Sequence, residues 1–148
     1  MFIGSPGTGK THLSIAIGIE TAINRYNTYY INCKDLIMQL WKAKLKNRLN
    51  TRLKHFASIS LLIIDEVGFL PIDEDDSNLF FQLVAARYEK HSTIITSNKP
   101  LSKWNEIFKD VTIASAILDR LLHHSHVFQI NGPSYRLKNL EAYFDDGN

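Results

Sequence analysis

The sequence predicts an α/β fold with a parallel sheet flanked by helices. Three features carry that expectation. Short apolar runs alternate with stretches of helical period, a glycine-rich octet spans Gly4 to Thr11, and the apolar run Leu61-Leu62-Ile63-Ile64 ends in Asp65-Glu66. Strand–helix alternation favours parallel pairing, because each crossover helix returns the chain to the same end of the sheet. Ligands in such sheets bind beyond the carboxyl ends of the strands. The octet, Asp65 and Asn98 all fall at such ends.

Taken in order, Phe2-Ile3 ends a first strand. Only three residues precede Gly4, fewer than the about five or six of an ordinary strand. The strand therefore reads as clipped and the fold as truncated at its N-terminus. His12 to Arg25 reads as a helix, apolar around most of its circumference (Leu13, Ile15, Ile17, Ile19, Ile23) and so expected to be buried against the sheet. Asn27 to Cys33 carries strand-forming Thr28-Tyr29-Tyr30-Ile31. Asp35 to Lys46 returns to a helical period with Ile37, Leu40, Trp41 and Leu45. Ser60 to Asp65 has the continuous apolar character of a strand covered on both faces. Ser77 to Lys90 follows as a helix with acids before it and Arg87 and Lys90 in its last turn, which complements the macrodipole. Ser92 to Ser97 is a further strand. Ser102 is placed to cap a short helix containing Trp104, Ile113 to Leu122 forms another helix, and His126 to Ile130 is a last strand.

The chain of 148 residues is long enough for one domain with a real core, and its 45% hydrophobic content suits a globular protein. No apolar run approaches membrane-spanning length, so no membrane partner is expected. Cys33 is the only cysteine, which rules out an intrachain disulfide and points to a reducing cytoplasm. Met1-Phe2-Ile3 lacks the charged start of a signal peptide. The formal net charge is +2, but it is unevenly spread. No acid occurs between Asp35 and Asp65, where Lys42, Lys44, Lys46, Arg48, Arg52 and Lys54 lie.

The octet Gly4-Ser5-Pro6-Gly7-Thr8-Gly9-Lys10-Thr11 fits the Walker A pattern of two glycines separated by four residues and followed by Lys and Thr. Glycines let the main chain wrap an oxygen-rich ligand, and its amides with the next helix N-terminus face the phosphates of a nucleotide such as ATP. Lys10 is the residue to reach the β- and γ-phosphates, and the Thr11 hydroxyl to ligate Mg²⁺. The run ending in Asp65-Glu66 reads as Walker B. Asp65 would hold Mg²⁺ through water, and Glu66 would orient the attacking water. The strand at 27–33, lying between these motifs, and the Glu beside the Asp suggest the additional-strand branch of P-loop NTPases. Asn98, ending its strand, is a candidate sensor of the γ-phosphate or of the nucleophilic water, the alternative being a turn residue before Lys99-Pro100. Arg120 offers a guanidinium for a transferred phosphoryl group, in cis or from a neighbour. On composition alone, an exposed ion pair with Asp119 has the edge.

The stretches at 4–13, 61–71, 78–84 (Asn-Leu-Phe-Phe-Gln-Leu-Val), 96–100 (Thr-Ser-Asn-Lys-Pro), 116–124 (Ala-Ile-Leu-Asp-Arg-Leu-Leu-His-His) and 134–138 (Ser-Tyr-Arg-Leu-Lys) together resemble the IstB-like insertion-sequence ATP-binding proteins. The resemblance implies an AAA+ ATPase of the initiator and helicase-loader type that assists a transposase. It implies ATP and Mg²⁺ as cofactors, assembly as a homo-oligomer on double-stranded DNA, and recruitment and stimulation of the transposase. By position it assigns Gly4, Ser5, Pro6, Gly7, Thr8, Gly9, Lys10, Thr11 and His12 to the nucleotide, with Thr11 and Asp65 at the metal. Glu66 and Asn98 become catalytic, Arg120 an arginine finger completing a neighbour's site, and Arg136 a sensor 2-like contact. It also implies an N-terminal helical domain and a full first strand ahead of the octet, both absent from this sequence, with the first strand lying between the sensor strand and the last one. Two alternatives stay open: a replicative helicase loader of the DnaC type, and an inert remnant.

The basic stretch at 42–54 is either a solvated face or a DNA contact that reads backbone and shape rather than bases. His123, His124 and His126 lack a partnering Cys or carboxylate in the sequence, which argues against a metal site. Cys33 reads as a small buried apolar residue, and Trp41, Phe80 and Phe81 as packing residues.

Overall fold

A computed structural model describes residues 1–138. Five strands form one sheet in the order β2-β3-β4-β1-β5, every pairing parallel. The elements are β1 (Phe2–Ile3), α1 (Lys10–Ile23), β2 (Thr28–Asn32), α2 (Cys33–Leu45), α3 (Leu49–Ala57), β3 (Leu61–Asp65), α4 (Glu74–Arg87), β4 (Ser92–Ser97), α5 (Trp104–Phe108), α6 (Val111–Leu122) and β5 (Phe128–Gln129). The first strand lies between β4 and β5, as the family resemblance implied. Phe2 is in register with Thr96 on one side and Phe128 on the other.

All five residues of β3 are buried, which accounts for its unbroken apolar run. Alternation along it separates two faces. Leu62 and Ile64 join the main core with Leu36, Leu40, Phe56, Phe80, Leu83, Trp104 and Phe108, while Ile63 meets α1 at Gly18.

Helix α1 is oriented differently from expectation. Its buried residues are Lys10, Ser14 and Gly18, and Leu13, Ile15, Ile17, Ile19 and Ile23 are 38–69% exposed. Close approach to the sheet explains this: a Cβ on Gly18 would lie 2.7 Å from Ile63 Cδ1. Only small side chains fit beneath the helix, so the branched ones turn outward.

Other differences are local. Helix α3 has no counterpart in the sequence reading; it buries only Leu53 and Phe56 in an otherwise polar stretch, too thin a pattern to register. Asn32 rather than Asp35 opens α2, its side chain accepting from the Lys34 amide at 2.9 Å. Asp73 caps α4 through the Asp76 amide, so the acids 74–76 lie inside the first turn. Ser102 is no cap: it falls in a 3-10 turn over Leu101–Lys103, and α5 begins without a side-chain cap. Trp41 is 36% exposed with the Lys44 ammonium 4.7 Å from its ring, whereas Phe80 is buried as expected. Cys33 is buried, and desolvation raises its thiol pKa to about 12.

Arg87 does not serve the helix dipole from solvent. It is 3% exposed, with Nη1 donating to the carbonyls of Phe56 at 2.6 Å and Ile59 at 2.9 Å, Nη2 to the Ser92 carbonyl, and Nε to Thr93 Oγ1 at 2.9 Å. Desolvation lowers its pKa to about 10, which leaves it charged at neutral pH. One side chain thereby joins α3, α4, β4 and the turn that leads into β3. Arg87→Ala strands several buried carbonyls, each worth about 1–3 kcal/mol. Thermal melting should fall by roughly 10 °C for a domain of this size, and Arg87→Lys should recover less than half of the loss.

Candidate nucleotide site

The loop between β1 and α1 closes on itself through Lys10. Its ammonium donates to the carbonyls of Gly4 at 2.9 Å and Ser5 at 2.6 Å. Burial lowers the Lys10 pKa, with Asp65 opposing and Arg136 reinforcing the shift. A desolvated cation held by neutral carbonyls is poised for an anion. Gly7 and Gly9 have φ of 73° and 92°, conformations that suit glycine. A Cβ on Gly7 would collide with Ser134, which packs directly over the loop.

Thr11 begins the second layer. Its hydroxyl lies 2.9 and 3.0 Å from the two Asp65 carboxylate oxygens. Asp65 is 3% exposed and also accepts from Tyr30 Oη at 2.7 Å and from Thr96 Oγ1. Burial raises the Tyr30 pKa strongly, and the hydrogen bond to Asp65 adds to the shift.

Beyond Asp65 the chain turns through Glu66, whose φ of 60° lies in the left-handed region. The Thr96 hydroxyl accepts from the Glu66 amide at 2.9 Å and the Thr96 carbonyl accepts from Val67. The Glu66 carboxylate is exposed and receives the Asn32 amide at 2.6 Å.

These groups border a cleft of about 780 Å³. Pro6 to His12, Glu66, Asn98 and Arg136 line it, with Tyr135 and the 130–133 segment as the far wall. The Gly4 and Ser5 carbonyls accept from Lys10 behind this lining, and Asp65 accepts from Thr11. The structure therefore brings together the residues expected here with one exception. Arg120 is outside this cleft, its Nη1 on the Ala116 carbonyl at 3.0 Å and its guanidinium 4.9 Å from the Phe81 ring. No ion pair between Arg120 and Asp119 occurs among the described residues.

Sequence reasoning missed Tyr30, Asn32 and Thr96. Register was the available clue. Asn32 pairs with Asp65, and Ile64 with Ile95, so Thr96 follows as the next neighbour of Asp65. Polar side chains at matching positions of three adjacent strands mark the same end of the sheet.

The donor set fits a nucleotide with a divalent ion. The Lys10 ammonium lies within the loop on neutral carbonyls, and a hydroxyl and a buried carboxylate share one spot, the oxygen-only ligand type that Mg²⁺ takes.

Residues 1–142 match the family described as IstB-like ATP binding protein. The chain is 54% identical over 138 residues to the ATP-binding protein of insertion sequence IS232 from Bacillus thuringiensis subsp. berliner, covering 93% of this chain and 55% of the relative. It is 46% identical over 138 residues to the ATP-binding protein of insertion sequence IS21 from Pseudomonas aeruginosa, covering 93% and 52%. The chain thus spans about half the length of these relatives. Among solved structures, the DnaC helicase loader superposes with a TM-score of 0.68 at 27% identity, over 87% of this chain and 76% of that one. DnaA from Aquifex aeolicus bound to AMPPCP gives 0.73 at 23% identity, over 98% and 44%, a likeness of fold. With its parallel sheet and phosphate-type loop, the chain belongs to the IstB-like family of insertion-sequence ATP-binding proteins.

Proposed function

We propose that this chain binds ATP with Mg²⁺, hydrolyses it, and works as an oligomeric DNA-binding helper of a transposase. The observation that carries the hydrolytic part is the meeting of Thr11 with Asp65 one residue before Glu66, beside the Lys10 cation. Lys10 would exchange its carbonyl partners for phosphate oxygens, a stronger charge-assisted bond. Thr11 would turn its hydroxyl lone pair to the ion, and Asp65 would hold the ion's water shell. Mg²⁺ would supply charge neutralisation across the β- and γ-phosphates. Tyr30 and Thr96 keep the Asp65 carboxylate fixed while Thr11 changes partner. The Asn32 amide holds Glu66 Oε2, and the other carboxylate oxygen would orient the attacking water. Asn98, which lines the cleft, would read the γ-phosphate or that water.

The position of Arg120 outside its own cleft supports action in a neighbour's site. Exposed Lys42, Lys44, Lys46, Arg48 and Lys54 support DNA backbone contact. Arg52 is spent internally on Gln39 and the Phe56 ring. Relatives named for insertion sequences favour transposition. Likeness to the DnaC loader supports a second reading, loading of a replicative helicase. Binding of a purified replicative helicase but not of the transposase would establish that second reading.

Lys10→Ala should abolish nucleotide binding, measured by calorimetry, while Glu66→Gln should retain binding and lose turnover by about 100-fold or more. Equal loss of binding in both would overturn the assigned roles. Mixing Arg120→Ala with Lys10→Ala protein should restore part of the hydrolysis if Arg120 acts in trans; no recovery at any ratio would return it to packing on Phe81. DNA affinity should fall steeply between 50 and 200 mM salt, by about tenfold or more for even a few phosphate contacts. Replacing Lys42, Lys44 and Lys46 by Gln should flatten that slope, and an affinity indifferent to salt would remove the stretch from the DNA surface.

A further inference from the structure

At the end of the molecule away from the nucleotide cleft, α4 and α6 terminate side by side in matching ways. Tyr88 and His123 are their C-caps. The next residues, Glu89 and His124, have φ of 56° and 57°. That position after a helix favours glycine or asparagine, because other side chains strain there. The chain places a carboxylate and an imidazole there instead.

The two turns converge on one point. Glu89 Oε1 lies 3.6 Å from His123 Nδ1 and 3.6 Å from His124 Nε2, and one ligand atom from each residue falls within 4.8 Å of the others. Zinc bonds of about 2.0–2.2 Å in tetrahedral geometry place neighbouring ligand atoms roughly 3.4 Å apart. No carboxylate stands beside these histidines in the sequence, and adjacent histidines are expected to diverge; the fold brings both to Glu89, more than thirty residues away.

We propose that Glu89, His123 and His124 form a binding site for a divalent transition metal of the zinc type. Two imidazoles and one carboxylate suit zinc, nickel or copper ions rather than magnesium or calcium, which prefer all-oxygen shells. All three ligands are exposed, so the ion enters from solvent and keeps water at its remaining position. The Tyr88 hydroxyl, 2.5 Å from His123 Nδ1, rotates to solvent when the metal takes that lone pair. The bound ion joins the end of α4 to the end of α6 and so fixes the helix that carries Arg120, three residues before His123. This site stands independently of the nucleotide reading.

The test uses Zn²⁺ and Co²⁺ alone on the metal-free chain. Zn²⁺ at about 100 times its dissociation constant should raise the melting temperature by roughly 5 °C or more, and Co²⁺ should develop the visible absorption of a low-coordinate nitrogen–oxygen site. Both responses should vanish in Glu89→Gln and His124→Ala and persist in Asp65→Asn, which separates this site from the nucleotide cleft. Glu89→Gly and His124→Gly give a sharper check. Each relieves a left-handed residue, so the metal-free melting temperature should hold or rise while the zinc response is lost. An absent zinc response, or one surviving in Glu89→Gln and His124→Ala, would overturn the proposal.

Discussion

The site is organised around one buried carboxylate. Asp65 is nearly inaccessible to water, and an unpaired ionised carboxylate in such a place would be costly. Three hydroxyls satisfy it, each from a different element: Thr11 from α1, Tyr30 from β2 and Thr96 from β4. The requirement works in both directions. The carboxylate needs those donors, and their elements are held in register by supplying them. Thr96 is central because its hydroxyl donates to Asp65 while accepting from the Glu66 amide. The left-handed turn at Glu66 is therefore fixed by the neighbouring strand rather than by its own sequence.

What the sequence revealed divides along physical lines. The octet and the Asp65-Glu66 run were legible because their chemistry demands particular residues at fixed spacing. Parallel pairing followed from alternation and the central place of the first strand from the family resemblance, and Ser92–Ser97 agrees to the residue. What escaped notice depends on contacts between distant elements. Tyr30 and Asn32 look like ordinary strand residues until β2 is laid beside β3 in register. Arg87 looks like a helix-terminal cation until α3 and β4 present carbonyls to it. Helix α1 shows the converse error: its many branched residues suggested burial, but proximity to the sheet selected Ser14 and Gly18 for the inner face. Periodicity reports how apolar a face is; the room beneath the helix decides which face goes in.

The central strand holds the loop against its neighbours on both sides. β1 pairs on both sides, and the loop leaves it at Gly4, whose amide donates to the Ser97 carbonyl at 3.1 Å. A Cβ at Gly4 would strike the Ile130 carbonyl, so the loop lies directly against the end of β5. Farther along, the Tyr135 amide donates to the Gly7 carbonyl at 2.9 Å. The phosphate-facing loop, the last strand and the segment bearing Arg136 are thus in main-chain contact at two points. The loop, β5 and the segment before Arg136 therefore support one another in this arrangement. Helix α6, which carries Arg120, leads directly into β5 and so into the 130–133 wall of the cleft.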